Sequence, residues 1–193
     1  RFGDERQSVF GRRGAPDVVL TPLVLDTNMR NTREVARVFI PLADRKPILT
    51  GASGPPVRFV SCSDGEAVTT ADDAAVALLE EGWQPSQVAL LTTYHRHEMQ
   101  KMATDGPGGM TSYWEQFWTG EDIFYGTVPG FKGLERPAVV LAVDGFRDMD
   151  VARSILYVGL SRARDLLVVC GDPATIRRVG GDSVADRLLA VRQ

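Results

Sequence analysis

The sequence predicts an α/β fold, in which a mostly parallel β-sheet is covered by helices on both faces. The first observation is that short apolar segments alternate with segments of helical periodicity along the 193 residues. The second is that the apolar segments are nearly continuous, as in residues 87–93, which indicates strands buried on both faces. A content of 44% hydrophobic and 24% charged residues is typical of a globular protein and argues against bulk disorder.

Local patterns place each element in order. Residues 57–62 alternate as a half-buried strand does, and the helix predicted at 70–81 ends before Gly82. The segment DGPGG at 105–109 must break the helix predicted at 97–104. Strands are predicted at residues 21–26, 57–62, 87–93, 124–128, 138–143 and 166–170. Helices are predicted at residues 31–43, 70–81, 97–104, 149–162 and 183–191.

Composition excludes several classes of protein. No apolar run approaches the ~20 residues that a membrane span needs, so we expect no membrane partner. Cys62 and Cys170 both lie in strand-like apolar runs, which rules out a disulfide framework and favours a cytoplasmic setting. A net charge of −3 is not typical of a nucleic-acid binder, but the charge is unevenly distributed along the sequence. Residues 1–60 carry ten basic and six acidic side chains, residues 61–135 three and twelve, and residues 136–193 nine and seven.

Several well-known site motifs are absent from the sequence. There is no G-x-x-x-x-G-K-[ST] element, since none of the three lysines follows a glycine, and so the chain has no phosphate-binding loop of that type. No cysteine or further histidine lies near His95 and His97, which makes a surface loop the better interpretation than a zinc site. No serine lies in a G-x-S-x-G element.

Two arginines suit phosphate chemistry. Arg162 follows the apolar residues 155–160, so it is held rigidly, as a residue that stabilises charge in phosphoryl transfer must be. Arg30 follows the first predicted strand, and ligands bind at strand ends in parallel sheets. The alternative for both is a solvated helix end, and for Arg162 this stretch alone favours that alternative.

Two other features are open to a functional or a structural interpretation. Glu135 ends the segment KGLE at 132–135, where Gly130 and Gly133 allow close backbone approach and a carboxylate could bind a sugar hydroxyl. The alternative is an ordinary helix start with an acid in its first turn. The aromatic residues 113, 114, 117 and 118 could stack on bases, but their spacing favours packing of one helix face into the core.

In this order, these segments resemble the superfamily-1 DNA helicases of the UvrD/Rep/PcrA type. GDERQSVFGRRGA at 3–15 resembles motif III, and LDTNMRN at 25–31 resembles motif IV. ALLTTYHRHEMQ at 89–100 is similar to the strand and turn that follow motif IV. TVPGFKGLERP at 127–137 resembles motif V, and RSILYVGLSRAR at 153–164 resembles motif VI; these two carry most of the specificity.

The resemblance implies a motor of two RecA-like domains, with ATP in the cleft between them and single-stranded DNA across both. Residues 1–16 are then expected to be the tail of the first domain. Residues 17–193 are expected to be the second RecA-like domain, without its own phosphate loop and without a large accessory insertion. The expected cofactor is ATP with Mg²⁺, the metal and phosphate loop coming from the N-terminal motor domain of the same polypeptide. The expected partners are that domain and single-stranded or duplex DNA, with 3′-to-5′ polarity.

The resemblance also implies roles for individual residues. Gln7 would sense the γ-phosphate, which Arg30 and Arg162 would contact from across the cleft, with Arg162 as the arginine finger. The other positions are divided between nucleotide and DNA. Glu135 would bind the ribose, with Met29, Lys132 and Gly133 in the same nucleotide site, and Thr127, Phe10 and Arg12 would lie along the DNA.

The sequence departs from the family pattern at several positions. Met29 replaces a tyrosine that stacks on adenine, Arg12 replaces a tryptophan, and Pro129 replaces a histidine that contacts DNA in relatives. These departures favour the alternative hypothesis, a degenerate motor domain that binds a protein or DNA. The retained Gln7, Arg30, Glu135 and Arg162 argue for an active motor. A third hypothesis, an unrelated nucleotide-binding α/β domain, is disfavoured by the ordered set of motifs.

Overall fold

A computed structural model describes residues 27–43 and 47–190. The strands in these residues are β1 (Thr27–Asn28), β2 (Ile48–Leu49), β3 (Arg58–Ser61), β4 (Val88–Thr92), β5 (Phe124–Thr127), β6 (Arg136–Val143) and β7 (Ala163–Gly171). The α-helices are α1 (Arg33–Phe39), α2 (Ala67–Glu80), α3 (Glu98–Asp105), α4 (Gly109–Thr119), α5 (Met149–Leu160), α6 (Pro173–Gly180) and α7 (Asp182–Leu189). None of the helices in this part of the chain is long and apolar enough to cross a membrane.

Five strands form a wholly parallel sheet in the order β3-β7-β6-β4-β5. The long strands β6 and β7 lie next to each other, and β3 and β5 form the two edges. The short strands β1 and β2 pair in parallel as a separate two-stranded sheet. The predicted α/β fold with a mostly parallel sheet is therefore confirmed.

Alternation along the strands produces two apolar cores, one on each face of the sheet. On the first face, Leu91, Leu141 and Leu167 pack with helices α1, α4, α5, α6 and α7. On the second face, Leu90 and Val140 pack mainly against α2. Every residue of β4 is buried, so this strand is covered on both faces of the sheet.

Close packing explains two local features of the sequence. A Cβ added at Gly159 would lie 2.9 Å from a methyl group of Leu141, so a larger residue there would force that side chain to shift. Helix α2 presents the small residues Ala67, Ala71 and Ala75 to the sheet. The predicted packing of residues 155–160 is confirmed, since α5 buries Ile155, Leu156, Val158 and Leu160.

The structure also corrects several predicted elements. The helix predicted at 31–43 is shorter, because α1 ends at Phe39 and a 3₁₀ turn follows over Ile40–Leu42. Helix α6 was not predicted, although Asp172 accepts from the N–H groups of Ala174 and Thr175 and Pro173 occupies the first turn. The strand predicted at 21–26 and the segment 1–16 lie outside the described residues.

Candidate functional site

Two loop-to-strand junctions lie side by side at the amino ends of the central strands. Glu135 directly precedes β6, and Arg162 directly precedes β7. Arg136 pairs with Ala163, and after a one-residue register shift Ala138 pairs with Leu166 and the pairing is regular to Val143 and Gly171; the Arg136 N–H donates to the Arg162 carbonyl at 3.3 Å. The pairing of two buried strands therefore fixes the positions of two sequence-predicted residues relative to each other.

A third segment, after β1, packs against the same junctions. The Arg30 guanidinium donates to the Ser161 carbonyl at 2.8 Å, and its Nε lies 3.6 Å from Oε2 of Glu135. The Asn31 amide donates to the carbonyls of Ser161 at 3.2 Å and Ala163 at 2.6 Å. We call Arg30, Asn31, Glu135, Ser161 and Arg162 the amino-end cluster. The cluster joins three segments of the chain, and the first and the last of them are more than 100 residues apart in the sequence.

Arg162 is the buried arginine of this cluster and is only 1% exposed. Its Nε donates to the Val158 carbonyl at 3.0 Å, its Nη1 to the Leu134 carbonyl at 3.3 Å, and its Nη2 to Ser161 Oγ at 3.0 Å. Arg162 lies just after the end of helix α5 but is buried, so the alternative of a solvated helix end is wrong for it. The prediction of a rigidly held arginine is confirmed, but the guanidinium is held by its own domain.

The charged side chains of the cluster differ in number by sign and also differ in solvent exposure. Arg30 and Glu135 have 38% and 39% exposed side chains and form a loose pair, whereas Arg162 is buried. The cluster therefore contains two guanidinium groups and one carboxylate. An excess of arginine at a partly exposed site suits a phosphate anion, which accepts bidentate hydrogen bonds from the planar guanidinium.

The remaining nucleotide-site candidates flank the cluster. Lys132 and Gly133 are exposed in the turn before Glu135, and Met29 is exposed beside Arg30. A Cβ added at Gly133 would meet no atom of the described residues within 4 Å. The φ of +87° is nevertheless a backbone conformation that residues with a side chain rarely adopt, so it favours glycine there. The helix start considered for Glu135 is wrong, because residues 128–133 form turns and Glu135 leads directly into β6.

Thr127 lies at the opposite end of the sheet. It is the last residue of β5 and pairs with Thr92 at the carboxyl end of β4. Its hydroxyl accepts from the Gly130 N–H at 3.3 Å. Residues 128–135 then cross from the carboxyl end of β5 to the amino end of β6, with Val128 and Phe131 buried in the core. One continuous segment thus connects Thr127 to Glu135.

A second organised feature at the carboxyl end was not predicted. Asp144 follows β6 and accepts from the backbone N–H groups of Thr93 at 2.9 Å, Tyr94 at 2.9 Å and His95 at 2.8 Å. Its side chain is only 3% exposed. This carboxyl-end turn, residues 93–95 held by Asp144, leaves the rings of Tyr94 and His95 exposed with their centroids 3.9 Å apart. The available signal was an aspartate directly after the apolar run 138–143.

Other candidate residues have structural roles. The Arg153 guanidinium donates to the carbonyls of Pro41 at 3.3 Å and Gly180 at 3.4 Å, which ties α5 to its neighbours. Tyr113 and Phe117 are buried, which confirms the core interpretation of the aromatic cluster, whereas Trp118 is exposed. Among residues 27–43 and 47–190, no group of three potential ligands that could hold a metal ion is present.

The sequence reasoning also missed Asn31 and Ser161, which hold the segment after β1 against β7. The signal was an asparagine next to Arg30 in a segment already singled out. Gln7, Phe10 and Arg12, which were predicted to sense phosphate or contact DNA, lie outside the described residues.

Comparison with known proteins identifies the family that this chain resembles. Residues 122–170 match the model of the UvrD-like helicase C-terminal domain, so the resemblance seen in motifs V and VI is confirmed over about a quarter of the chain. This segment contains Thr127, Lys132, Gly133, Glu135 and Arg162. No curated protein matches the chain.

One solved structure that is similar is the C-terminal domain of a possible DNA helicase from Lactobacillus plantarum WCFS1. It has 15% sequence identity and a TM-score of 0.44, and the similarity covers 76% of this chain and 88% of that chain.

Proposed function

We propose that this chain is the second motor domain of an ATP-dependent DNA helicase or translocase, with 3′-to-5′ polarity. The observation that carries the proposal is the amino-end cluster. Arg30, Glu135 and Arg162 were selected from three separate motifs, and they form one site. ATP with Mg²⁺ would be held by the preceding motor domain of the same polypeptide, which supplies the phosphate loop and the metal ligands.

The cluster contributes positive charge to the transferring phosphoryl group. Charge in that transition state is spread over the equatorial oxygens, and a rigid planar donor stabilises it without reorganisation. Arg30 is the accessible arginine. Arg162 is the proposed finger, and because it is buried, its contact with a phosphate requires the guanidinium to leave at least one carbonyl when the two domains close.

The remaining roles are those that the resemblance implies. Glu135 would accept from a ribose hydroxyl, with Met29, Lys132 and Gly133 lining the same nucleotide site. Thr127 would contact DNA at the carboxyl end of the sheet, and Phe10 and Arg12, which lie outside the described residues, would also contact DNA. Gln7 would sense the γ-phosphate. Since residues 128–135 connect Thr127 to Glu135 and are anchored in the core by Val128 and Phe131, DNA contact and nucleotide contact would be mechanically coupled.

The test is a matched pair of arginine substitutions in the polypeptide that contains both motor domains. Arg162→Lys should lower DNA-stimulated ATP hydrolysis by about 10³-fold or more, because lysine cannot reproduce the planar donor. Arg153→Lys is the control, because the Arg153 guanidinium, like that of Arg162, donates to backbone carbonyls of its own domain but lies outside the cluster. Equal loss in both variants would mean that Arg162 acts only through folding. Unchanged hydrolysis in Arg162→Lys would remove it from the finger role.

The second candidate is a degenerate motor domain that binds a protein or DNA. The specific observation that favours it is the burial of Arg162, whose nitrogens are already bonded within its own domain. This candidate predicts no DNA-stimulated hydrolysis in the parental two-domain protein. For either candidate, the 193-residue chain by itself should have no ATPase activity, because half of the site is supplied by another domain.

A further inference from the structure

A groove separate from the amino-end cluster opens between α3, α4 and the edge strand β5. Its cavity volume is about 250 Å³. The Tyr113 hydroxyl donates to the Tyr125 carbonyl at 2.9 Å, which joins α4 to β5 beneath the groove. The walls are mainly apolar and include Met99, Met102, Tyr113, Ile123, Phe124 and Tyr125. We call this the methionine groove.

One polar atom in the groove is unsatisfied. Gln100 lines the cavity and is 7% exposed, and its Oε1 has no hydrogen-bond partner within the described part of the chain. Its Nε2 donates to the Tyr113 oxygen at 3.3 Å. Exchanging the positions of Oε1 and Nε2 would not give the oxygen a hydrogen-bond donor, because the Tyr113 hydroxyl already donates its single proton to the Tyr125 carbonyl. Gln100 therefore carries a buried acceptor beside the groove that no group in the described residues satisfies, and a donor from outside would reach it only if the neighbouring groove side chains move aside.

The two methionines form an adaptable apolar wall. Met99 is 48% exposed and Met102 is 68% exposed on the same helix, three residues apart. Methionine side chains are unbranched and polarisable, and they are common at surfaces that bind flexible peptides.

The charge around the groove is negative. Residues 96–125 carry five acidic and two basic side chains, and Lys101 is already paired with Glu98 at 2.6 Å. Asp122 lines the groove. Burial raises the pKa of Tyr125, and the negative charges of Asp72 and Asp122 raise it further, so two carboxylates act on this wall. The field favours a cation and disfavours nucleic acid.

We propose that the methionine groove binds an apolar peptide segment of a partner protein that contains arginine or lysine. The cationic side chain donates to Gln100 Oε1 and faces Asp122. The neighbouring apolar side chains pack on Met99 and Met102. This proposal does not depend on the proposed motor function, because no residue of the amino-end cluster takes part.

The probe is a capped peptide of roughly ten alternating leucine and arginine residues. Its twin carries glutamate in place of arginine. With the methionine methyl groups of the 193-residue chain labelled with carbon-13, the arginine peptide should shift the signals of Met99 and Met102. Met149 is the internal control, since it is 53% exposed and lies between Asp148 and Asp150 but outside the groove. The glutamate peptide should shift neither groove signal.

Two glutamine variants test the acceptor. Gln100→Leu should weaken binding of the arginine peptide about tenfold while leaving the melting temperature unchanged or higher, because it also removes an unsatisfied buried group. Gln116→Leu, on the opposite wall of the groove, should change the affinity less than about twofold. Equal effects of the two variants would overturn the proposal.

Three other results would also overturn it. These are equal shifts at Met149, equal binding of the two peptides, and no shift of the groove signals. Shifts of Met99 and Met102 that depend on protein concentration without any peptide would replace the partner segment with a second copy of this chain.

Discussion

The two ends of the central sheet carry polar groups that are used in opposite ways. At the amino end, Arg30 and Glu135 are more than a third exposed and form only a loose pair at 3.6 Å. At the carboxyl end, Asp144 is 3% exposed and is fully occupied by three backbone N–H groups. Charge at the amino end is therefore available to a partner, whereas charge at the carboxyl end maintains the fold.

Arg162 stands between these two cases. It belongs to the amino-end cluster, yet it is buried and hydrogen-bonded as fully as Asp144 is. The comparison shows that exposure, and not only position in a motif, decides whether a substitution tests function or stability. Substitutions at the two ends should therefore separate activity from stability.

Among exposed residues of the two ends, the largest expected effect is the loss of hydrolysis on removing Arg30. In the polypeptide with both motor domains, Arg30→Ala should lower DNA-stimulated ATP turnover by about 10³-fold. The free energy of unfolding should fall by less than about 1 kcal/mol, since one partly exposed hydrogen bond is lost. The measurement combines steady-state hydrolysis with chemical denaturation.

Arg33→Ala is the matched control for that experiment. The Arg33 Nε also donates to a backbone carbonyl, that of Gly51 at 2.8 Å, and Arg33 lies outside the cluster. Turnover by Arg33→Ala should stay near the parental rate. A similar drop in ATP turnover for both variants would contradict a specific role of Arg30 in hydrolysis.

The next effect is a loss of stability at the carboxyl end. Asp144→Ala leaves the N–H groups of Thr93, Tyr94 and His95 without their acceptor, so the free energy of unfolding should fall by about 3 kcal/mol. Asp148→Ala, which removes an exposed helix cap, should lower it by only about 1 kcal/mol. Urea denaturation of the two variants decides the point, and equal losses would show that Asp144 is not an organising residue.

A smaller loss is expected when the segment after β1 is released from β7. Asn31→Ala removes two hydrogen bonds to buried carbonyls and should lower the free energy of unfolding by about 2 kcal/mol. Asn28→Ala removes bonds only to Asn31 and should have about half that effect. If Asn31→Ala were neutral in denaturation, the segment would not be held by this amide.

The smallest effect concerns the two thiols near the carboxyl end of the sheet. Burial raises the pKa of Cys170 to about 12 and also raises the pKa of Cys62, which is less buried. In the native chain at pH 8, alkylation should therefore modify Cys62 first, and Cys170 only on unfolding. This order is read by mass spectrometry, and native modification of Cys170 first would contradict its burial.

The same raised pKa gives a direction for stability with pH. A thiol in the unfolded chain ionises near pH 8.5, while the folded Cys170 stays protonated up to about pH 12. Its contribution to stability is present below pH ~8.5 and decreases as the pH rises toward that of the folded thiol. Cys170→Ala should reduce this alkaline decrease in denaturation experiments.

Much of the fold was predictable because apolar periodicity is a local signal. Strands β4, β6 and β7 are continuous apolar runs, and helices α2 and α5 have the expected periodicity. Helix α6 was missed although Asp172 and Pro173 are signals of a helix start. The turn before Glu135 left a helix start open as an alternative, because both contain glycine and an acid.

Sequence alone determined the class of fold and the identity of the candidate site residues. Continuous apolar runs separated by helical segments indicate buried parallel strands, and the residue types and their order in motifs V and VI resemble the UvrD-like helicase C-terminal domain. The tertiary structure decided which of these residues share a site. Strand pairing brings Glu135 and Arg162 together at the amino end and places Thr127 at the other end. The physical reason is that spacing along a chain carries no information about which strand ends become neighbours, whereas the buried hydrogen-bonded register of β6 and β7 fixes it.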